Sequence, residues 1–188
     1  MIVEDGYAFI SKLPTSVLAD IAELRFFKEK VEQFANAPEP RLRKVAVEAL
    51  VRRGIALHSL GRYEEEVQTY DELMNRFGNH LEPEIRAQVA RALVNRGVAL
   101  SKLNRREEEI QTYDEIVQRF GESPEAALRQ RVAAALANRG LALAELNRGE
   151  EAIRSYDEVI RRFRDDPEPA IQEIVREARS KLNPPVRS

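Results

Sequence analysis

The sequence predicts an all-α fold, an α-solenoid in which antiparallel helix pairs stack side by side. The first observation is a repeat: the stretch from Ala92 to Phe120 recurs 43 residues earlier, from Ala49, and 43 residues later, from Ala135. The second is the apolar pattern within each copy, where apolar residues recur every three to four positions, as on one face of a helix. A fixed period of this length is typical of units that bury one continuous core by stacking.

Each repeat is predicted to consist of a long first helix and a second helix. In the third copy, Ser123 is expected to be the N-cap of the first helix, with Pro124 at its first position. The Asn-Arg-Gly sequence at residues 147–149 interrupts the apolar pattern and predicts the turn. The second helix has a predicted buried stripe of Ile153, Tyr156, Val159, Ile160 and Phe163.

The recurring junctions predict one solenoid domain over residues 1–188. Residues 1–37 form a degenerate N-terminal unit, with helices expected over about 4–13 and over 16–34. Residues 38–80, 81–123 and 124–166 are the three full repeats. Residues 167–188 form a C-terminal capping helix and tail, and the polar outer face of this helix suits the end of a solenoid.

A glycine recurs inside each long first helix, where it costs about 1 kcal/mol relative to alanine. We expect this glycine to let the two helices of a repeat approach closely, with a tyrosine crossing over it; a hinge is the weaker alternative. The glycines are Gly54, Gly97 and Gly140, and the tyrosines are Tyr70, Tyr113 and Tyr156.

These residues belong to a fixed order of leucine, arginine, glycine and leucine in the first helix, then tyrosine in the second. The three sets are Leu50, Arg53, Gly54, Leu57 and Tyr70; Leu93, Arg96, Gly97, Leu100 and Tyr113; and Leu136, Arg139, Gly140, Leu143 and Tyr156. This order resembles the tetratricopeptide repeat, over about residues 46–182 and more weakly over 17–36. The resemblance implies a right-handed superhelix of helix pairs.

The sequence departs from the family pattern in ways that leave the pairing and order of the helices as expected. The period is 43 residues where the family has about 34. Glu66 and Glu109 also stand where the family has a small residue, which only Ala152 provides. We expect the extra length to lie ahead of the first helix and to lengthen it.

The resemblance further implies that the first helices line a concave groove. The corresponding positions are Glu48, Val51, Ile55, His58, Arg91, Val94, Val98, Ser101, Ala137, Leu141 and Ala144. Helical geometry turns Val51 and Ile55 away from the stripe that packs on the second helix, which leaves an apolar ribbon. Such a ribbon suits an amphipathic helix, an apolar peptide or a second copy of the chain. Internal packing of the ribbon, on itself or on the N-terminal segment, is an equally weighted alternative.

Arginines and aspartates recur at positions that predict structural ion pairs between helices. The residues are Arg53, Arg96 and Arg139 in the first helices and Asp71, Asp114 and Asp157 in the second. Each arginine is expected to be partly buried, so a carboxylate should compensate its charge. A clamp for a phosphate or carboxylate ligand is the less favoured interpretation. The acidic runs at residues 64–66 and 107–109 are expected to be solvated helix starts that complement the helix dipole.

Composition argues against catalysis and cofactors. The formal net charge of −2 gives no support to a nucleic-acid or acidic-membrane binder held by bulk charge. The absence of cysteine excludes disulfides, thiolate nucleophiles and cysteine metal sites. The two histidines, His58 and His80, have no ligand-like companions in the sequence, so no metal site and no other cofactor is predicted.

The predicted function is therefore a non-catalytic protein–protein interaction scaffold or adaptor that binds a peptide or an amphipathic helix of a partner protein in the groove. A structural module that forms a homodimer through the apolar groove is the alternative, and nucleic-acid binding is less favoured. The N-terminus has no basic signal region and no apolar run is long enough to span a membrane, so a cytoplasmic protein without membrane contact is expected.

Overall fold

The computed structural model describes residues 15–183, and over this range it contains eight α-helices and no strand. The helices are α1 Thr15–Phe34, α2 Pro40–Ser59, α3 Tyr63–Phe77, α4 Pro83–Lys102, α5 Arg106–Phe120, α6 Ala126–Glu145, α7 Gly149–Phe163 and α8 Pro169–Leu182. The predicted all-α fold is confirmed. The helix expected over residues 4–13 lies outside the described residues. None of the described helices is both long and apolar enough to cross a lipid bilayer.

The three repeats share one helical plan. Their first helices α2, α4 and α6 have 20 residues each, and their second helices α3, α5 and α7 have 15 each. The turns between them contain a residue of left-handed conformation, which is Gly61, Asn104 or Asn147, with φ values of 69°, 58° and 60°. Glycine and asparagine adopt this conformation at little cost, so these residues end the first helices.

The first helix of the third repeat was predicted to begin two residues too early. Its first helix begins at Ala126, and Glu125 is the N-cap. Ser123 does not cap the helix, because its hydroxyl donates a hydrogen bond to the side chain of Glu125. In the other long helices it is the proline after the junction glutamate that occupies the first helical position, as Pro83 does in α4. Pro124 aligns with Pro38 and Pro167, which come before the junction glutamate, and stays in the junction.

The chain divides into two compact units, Met1–Arg76 and Phe77–Ser188. In the first unit α2 packs on α1, and α3 runs antiparallel to α2. The antiparallel direction follows from two contacts: His58 lies against Glu66 and Arg53 lies against Glu72, so residue numbers rise on one helix as they fall on the other. The prediction of one domain over residues 1–188 stays a prediction.

The second unit contains α4 to α8 stacked in chain order. Each helix packs on the next, and the first helices also pack directly on one another, α4 on α6 and α6 on α8. Arg119 near the end of α5 donates a hydrogen bond to the backbone carbonyl of Gly78, ahead of α4, which shows that α4 and α5 are antiparallel. This stacking gives the unit a core of apolar side chains supplied by every helix.

Within each repeat a tyrosine of the second helix packs across the glycine of the first, as predicted. A β-carbon added at Gly54, Gly97 or Gly140 would overlap the tyrosine ring; at Gly140 it would lie 2.7 Å from Cε1 of Tyr156. The tyrosines are buried, with Tyr70 having no exposed surface. The recurring glycine therefore provides close helix approach.

Candidate functional site

The predicted groove residues of the second unit lie on α4 and α6, and most of them are accessible to solvent. Leu141 is 45% exposed, Ala144 is exposed and the others are half-buried. We call this set the first-helix face: Arg91, Val98, Ser101, Ala137, Leu141 and Ala144. Val94, which was predicted to belong to it, is only 8% exposed and is part of the core.

The predicted groove residues of the first unit are more enclosed. Val51 is buried in the core, Ile55 is 36% exposed, and Glu48 and His58 are half-buried. Ile55 also lines a cavity of about 270 Å³ between α1 and α2, together with Phe27 of α1. Part of the predicted ribbon is therefore internal packing, and its accessible apolar part is concentrated on α6.

A buried carboxylate lies beneath the end of the first helix in the first repeat. Glu66 is 1% exposed, and its Oε2 lies 2.8 Å from Nδ1 of His58. Burial raises the pKa of the Glu66 carboxyl, and the hydrogen bond with His58 opposes that rise. The expectation that all three glutamates at 64–66 are solvated was wrong for Glu66, because the helix turns this third side chain toward α2.

The second repeat places Glu109 in the same buried position with a different partner. Arg106 Nη1 lies 2.8 Å from Glu109 Oε2, and Arg106 Nη2 lies 2.5 Å from Glu145 Oε2 on α6. Burial raises the pKa of Glu109, Arg106 lowers it, and the negative charge of Glu145 adds to the rise. Tyr113 shares hydrogen bonds with Glu109 and Asn138, and its burial raises the pKa of its hydroxyl well above the usual range. The expected solvation of residues 107–109 was therefore also wrong for Glu109.

The third repeat has no carboxylate at this position. Ala152 fills it, is 4% exposed, and has Gly149 one turn earlier in place of an arginine. The nearby Ser155 is fully buried and donates a hydrogen bond of 2.9 Å to the carbonyl of Leu136. A glutamate thus replaces the family's small residue only in the two repeats that also place a basic side chain beside it.

The structure brings Arg139 of the third repeat next to Asp114 of the second, as predicted. Arg139 Nε lies 2.8 Å from Asp114 Oδ1, with side chains 27% and 52% exposed. The N–H is not aimed at the carboxylate, so the contact is ionic without hydrogen-bond alignment. Asp157 is the equivalent of Asp114 one repeat later, and it is exposed. The equivalent of Arg139 one repeat later is Leu182, which carries no charge.

Arg53 and Arg96 each also contact the second helix of their own repeat. Arg53 Nη1 lies 3.7 Å from Oε2 of Glu72, not next to Asp71, which is half-buried. The position one repeat before Asp71 is occupied by Lys28. Arg53 therefore has a lysine at the position where Arg139 has Asp114. Arg96 donates a hydrogen bond to the hydroxyl of Thr112.

Residues 15–183 contain no cluster of potential metal ligands. No three histidine or acidic side chains there come close enough together to hold a metal ion. His80 Nδ1 lies 3.2 Å from Glu82 Oε2 in the junction before α4.

The same pair of a 20-residue and a 15-residue helix recurs three times, and in each pair a tyrosine packs over a glycine. This recurrence defines a helical-repeat protein. The Tetratricopeptide repeat family matches residues 48–80, 91–123 and 125–167, which together are more than half of the chain. The chain therefore belongs to the tetratricopeptide repeat family. No curated protein and no solved structure matches it. Repeats of this family are generally protein–protein interaction modules and typically have no catalytic role.

Proposed function

We propose that the protein is a non-catalytic interaction scaffold or adaptor that binds a peptide or an amphipathic helix of a partner protein on the first-helix face. The observation that carries the proposal is the apolar row on α4 and α6, formed by Val98, Ala137, Leu141 and Ala144, which stays accessible to solvent. Leu141, at 45% exposed, is a large apolar side chain at the centre of this row. Exposed apolar groups in a row commonly mark a binding surface.

The face suits a linear ligand because its residues follow the length of two parallel helices. α4 and α6 pack directly on each other, so their accessible side chains form one continuous strip. An extended peptide or a helix can cover such a strip with side chains at regular spacing. Each half-exposed apolar side chain that the partner covers contributes about 1 kcal/mol.

A matched pair of substitutions tests the proposal. Leu141→Glu places a charge on the first-helix face, and Ile153→Glu places the same charge on α7, where the isoleucine is 51% exposed. Tagged wild type and both variants are used to capture partners from a cell lysate, with circular dichroism and thermal melting to verify folding. We expect Leu141→Glu to lose the partner and Ile153→Glu to retain it. Equal retention by both variants would contradict the proposal.

Light scattering on the same three proteins separates a foreign partner from a second copy of the chain. If the wild type is a dimer and Leu141→Glu is a monomer, the face serves self-association. A wild type that is monomeric at micromolar concentration supports a foreign partner.

A further inference from the structure

One flank of α1 is exposed, although the equivalent flank of the other second helices is buried. Phe26 of α1 is 53% exposed. The residues at the same position of the 43-residue period in α3, α5 and α7 are Thr69, Thr112 and Ser155. These three side chains are at most 2% exposed. The neighbours of Phe26 on this flank are also exposed or half-buried, and we call the set the α1 stripe: Ala19, Glu23, Phe26, Lys30 and Phe34.

In the three full repeats, this flank packs on the first helix of the same repeat. The hydroxyl of Ser155 in α7, for example, donates a hydrogen bond to the backbone carbonyl of Leu136 in α6. The chain reaches that position through a turn, which in the first repeat contains the left-handed Gly61. α1 is helical over residues 15–19, the positions equivalent to 58–62, so the chain does not turn there. A first helix joined by the usual turn is therefore not what covers the α1 stripe.

The aromatic side chains of the α1 stripe are held in place by contacts within the helix. The ammonium of Lys30 lies 5.5 Å from the ring centre of Phe26 and 5.3 Å from that of Phe34. A cation over the face of an aromatic ring is attracted to it, so Lys30 links the two rings. Phe26 also packs edge-on against the buried Phe27, at 5.8 Å between ring centres. Side chains that are already ordered lose little conformational freedom when another surface covers them.

The α1 stripe is complementary to itself when two copies of α1 meet in antiparallel orientation. Its residues recur every three to four positions, so they lie along one side of the helix. The register that places Glu23 opposite Lys30 of a second copy also places Ala19 opposite Phe34 of that copy. The same register brings the two Phe26 side chains together near the twofold axis. Opposite charges therefore face each other, and a small side chain faces a large one.

We propose that the protein forms a homodimer in which the α1 stripe packs antiparallel on the α1 stripe of a second copy. A twofold contact uses the same surface on both copies, so each complementary pair forms twice. One helix from each copy makes a small interface, so we expect a dissociation constant of about 10 μM. The α1 stripe is separate from the first-helix face, and the Leu141→Glu variant is expected to dimerise like wild type.

Disulfide trapping tests the orientation and the register, because the chain contains no cysteine of its own. Glu23→Cys and Lys30→Cys are made as separate proteins, one of them with a tag, and are oxidised alone and as a mixture. We expect the mixture to form the mixed disulfide, and each protein alone to form little. In the proposed register two copies of residue 23 are about 10 Å apart along the helix axis, too far for a disulfide. Homodisulfides that form as readily as the mixed disulfide would overturn the inference.

Analytical ultracentrifugation of matched variants measures the contribution of the α1 stripe to dimerisation. Phe26→Glu should raise the dissociation constant at least about tenfold, because it places two charges at the twofold axis. Ile21→Glu is the control and should change the constant less than about twofold. Ile21 is 47% exposed on the same helix, about 140° around the helix axis from Phe26. Circular dichroism verifies that both variants fold.

A charge reversal tests the predicted pair of Glu23 and Lys30. Glu23→Lys and Lys30→Glu should each weaken the dimer about fivefold, because each creates two pairs of like charges. The variant with both substitutions restores opposite charges and should return to within about twofold of wild type. Weakening that simply adds up in the double variant would overturn the register.

The remaining outcomes identify another occupant of the α1 stripe. A wild type that is monomeric at about 200 μM, well above the expected dissociation constant, would overturn the homodimer. If such a monomer captured a protein that Phe26→Glu loses and Ile21→Glu retains, the stripe would bind a foreign partner instead. A benzophenone amino acid at position 26 that crosslinked only to residues 1–14 of its own chain would assign the stripe to that segment.

Discussion

The α4–α5 and α6–α7 pairs of the second unit share their helix lengths and their tyrosine over glycine, yet they differ at one buried position. Glu109 occupies it in α5 and Ala152 occupies it in α7. The difference extends one turn earlier, where Arg106 binds Glu109 in α5 and Gly149 stands in α7. The two positions therefore change together, and the close packing of the helices needs either a small residue or a neutralised carboxylate.

The first unit shows a further way to meet the same requirement. Glu66 is buried like Glu109, but its partner His58 comes from the first helix of the pair. Tyr63 stands where the second repeat has Arg106, and its ring packs edge-on against His58 at 5.3 Å between ring centres. Glu66 and Glu109 are thus each accompanied by a basic side chain, which comes from the first helix in one repeat and from the second helix in the other.

The largest effect is expected at the feature that both pairs share. Gly97→Val and Gly140→Val should each destabilise the protein by about 3 kcal/mol, because a side chain at either position overlaps the tyrosine ring. Urea unfolding measures the change. Similar losses at both positions support a common packing role, whereas a loss confined to Gly97 would tie that role to the buried carboxylate cluster.

The second prediction separates the two pairs. Arg106→Gly alone should destabilise the protein by about 2 kcal/mol at neutral pH, because Glu109 remains buried without its cation. Adding Glu109→Ala recreates the arrangement of the third repeat and should recover most of that loss. If urea unfolding shows that the two substitutions are simply additive, the positions are not coupled.

The third prediction concerns pH. The pKa of Glu109 is raised in the folded protein, so the folded state binds the proton more tightly than the unfolded state and stability is lost as pH rises. Glu109→Gln should therefore gain stability relative to wild type at pH 7, and the gain should vanish below the usual carboxyl pKa of about 4.3. Thermal melting from pH 4 to 8 measures the difference. A difference that grows as pH falls would reverse the sign of the assigned shift.

The smallest effect is expected for the exposed aspartates. Asp114→Asn should cost about 0.5 kcal/mol, because its ion pair with Arg139 is half-exposed to solvent. Asp157 is exposed, and the position equivalent to Arg139 in the next repeat is occupied by the uncharged Leu182. Asp157→Asn should therefore leave stability unchanged. Urea unfolding at low and high salt gives both values, and a larger cost for Asp157 would indicate a contact that this account lacks.

The repeat made the architecture predictable, because a period that recurs three times fixes the order and pairing of the helices. The exposure of side chains was less predictable, since it depends on how closely neighbouring repeats approach. Ile110 is 6% exposed, whereas the equivalent Ile153, predicted to be buried, is 51% exposed. Equivalent positions in two repeats thus differ in exposure although they hold the same residue type.

The buried glutamates show where sequence reasoning missed available information. Three consecutive acids at a helix start look like a complement to the helix dipole, so burial of the third was not expected. The joint change from Arg106 and Glu109 to Gly149 and Ala152 was visible in the sequence and pointed to a pair. The burial of Val94 had no such signal in the sequence.

Site-specific photo-crosslinking tests the central claim, partner binding on the first-helix face, most directly. A benzophenone amino acid replaces Leu141 in one sample and Ile153 in the other, since both side chains are about half exposed, at 45% and 51%. After irradiation in lysate, mass spectrometry identifies the crosslinked chains. The account predicts a defined crosslinked protein from position 141 and none from position 153. Crosslinking from position 153 alone would place the partner on α7 and contradict the account.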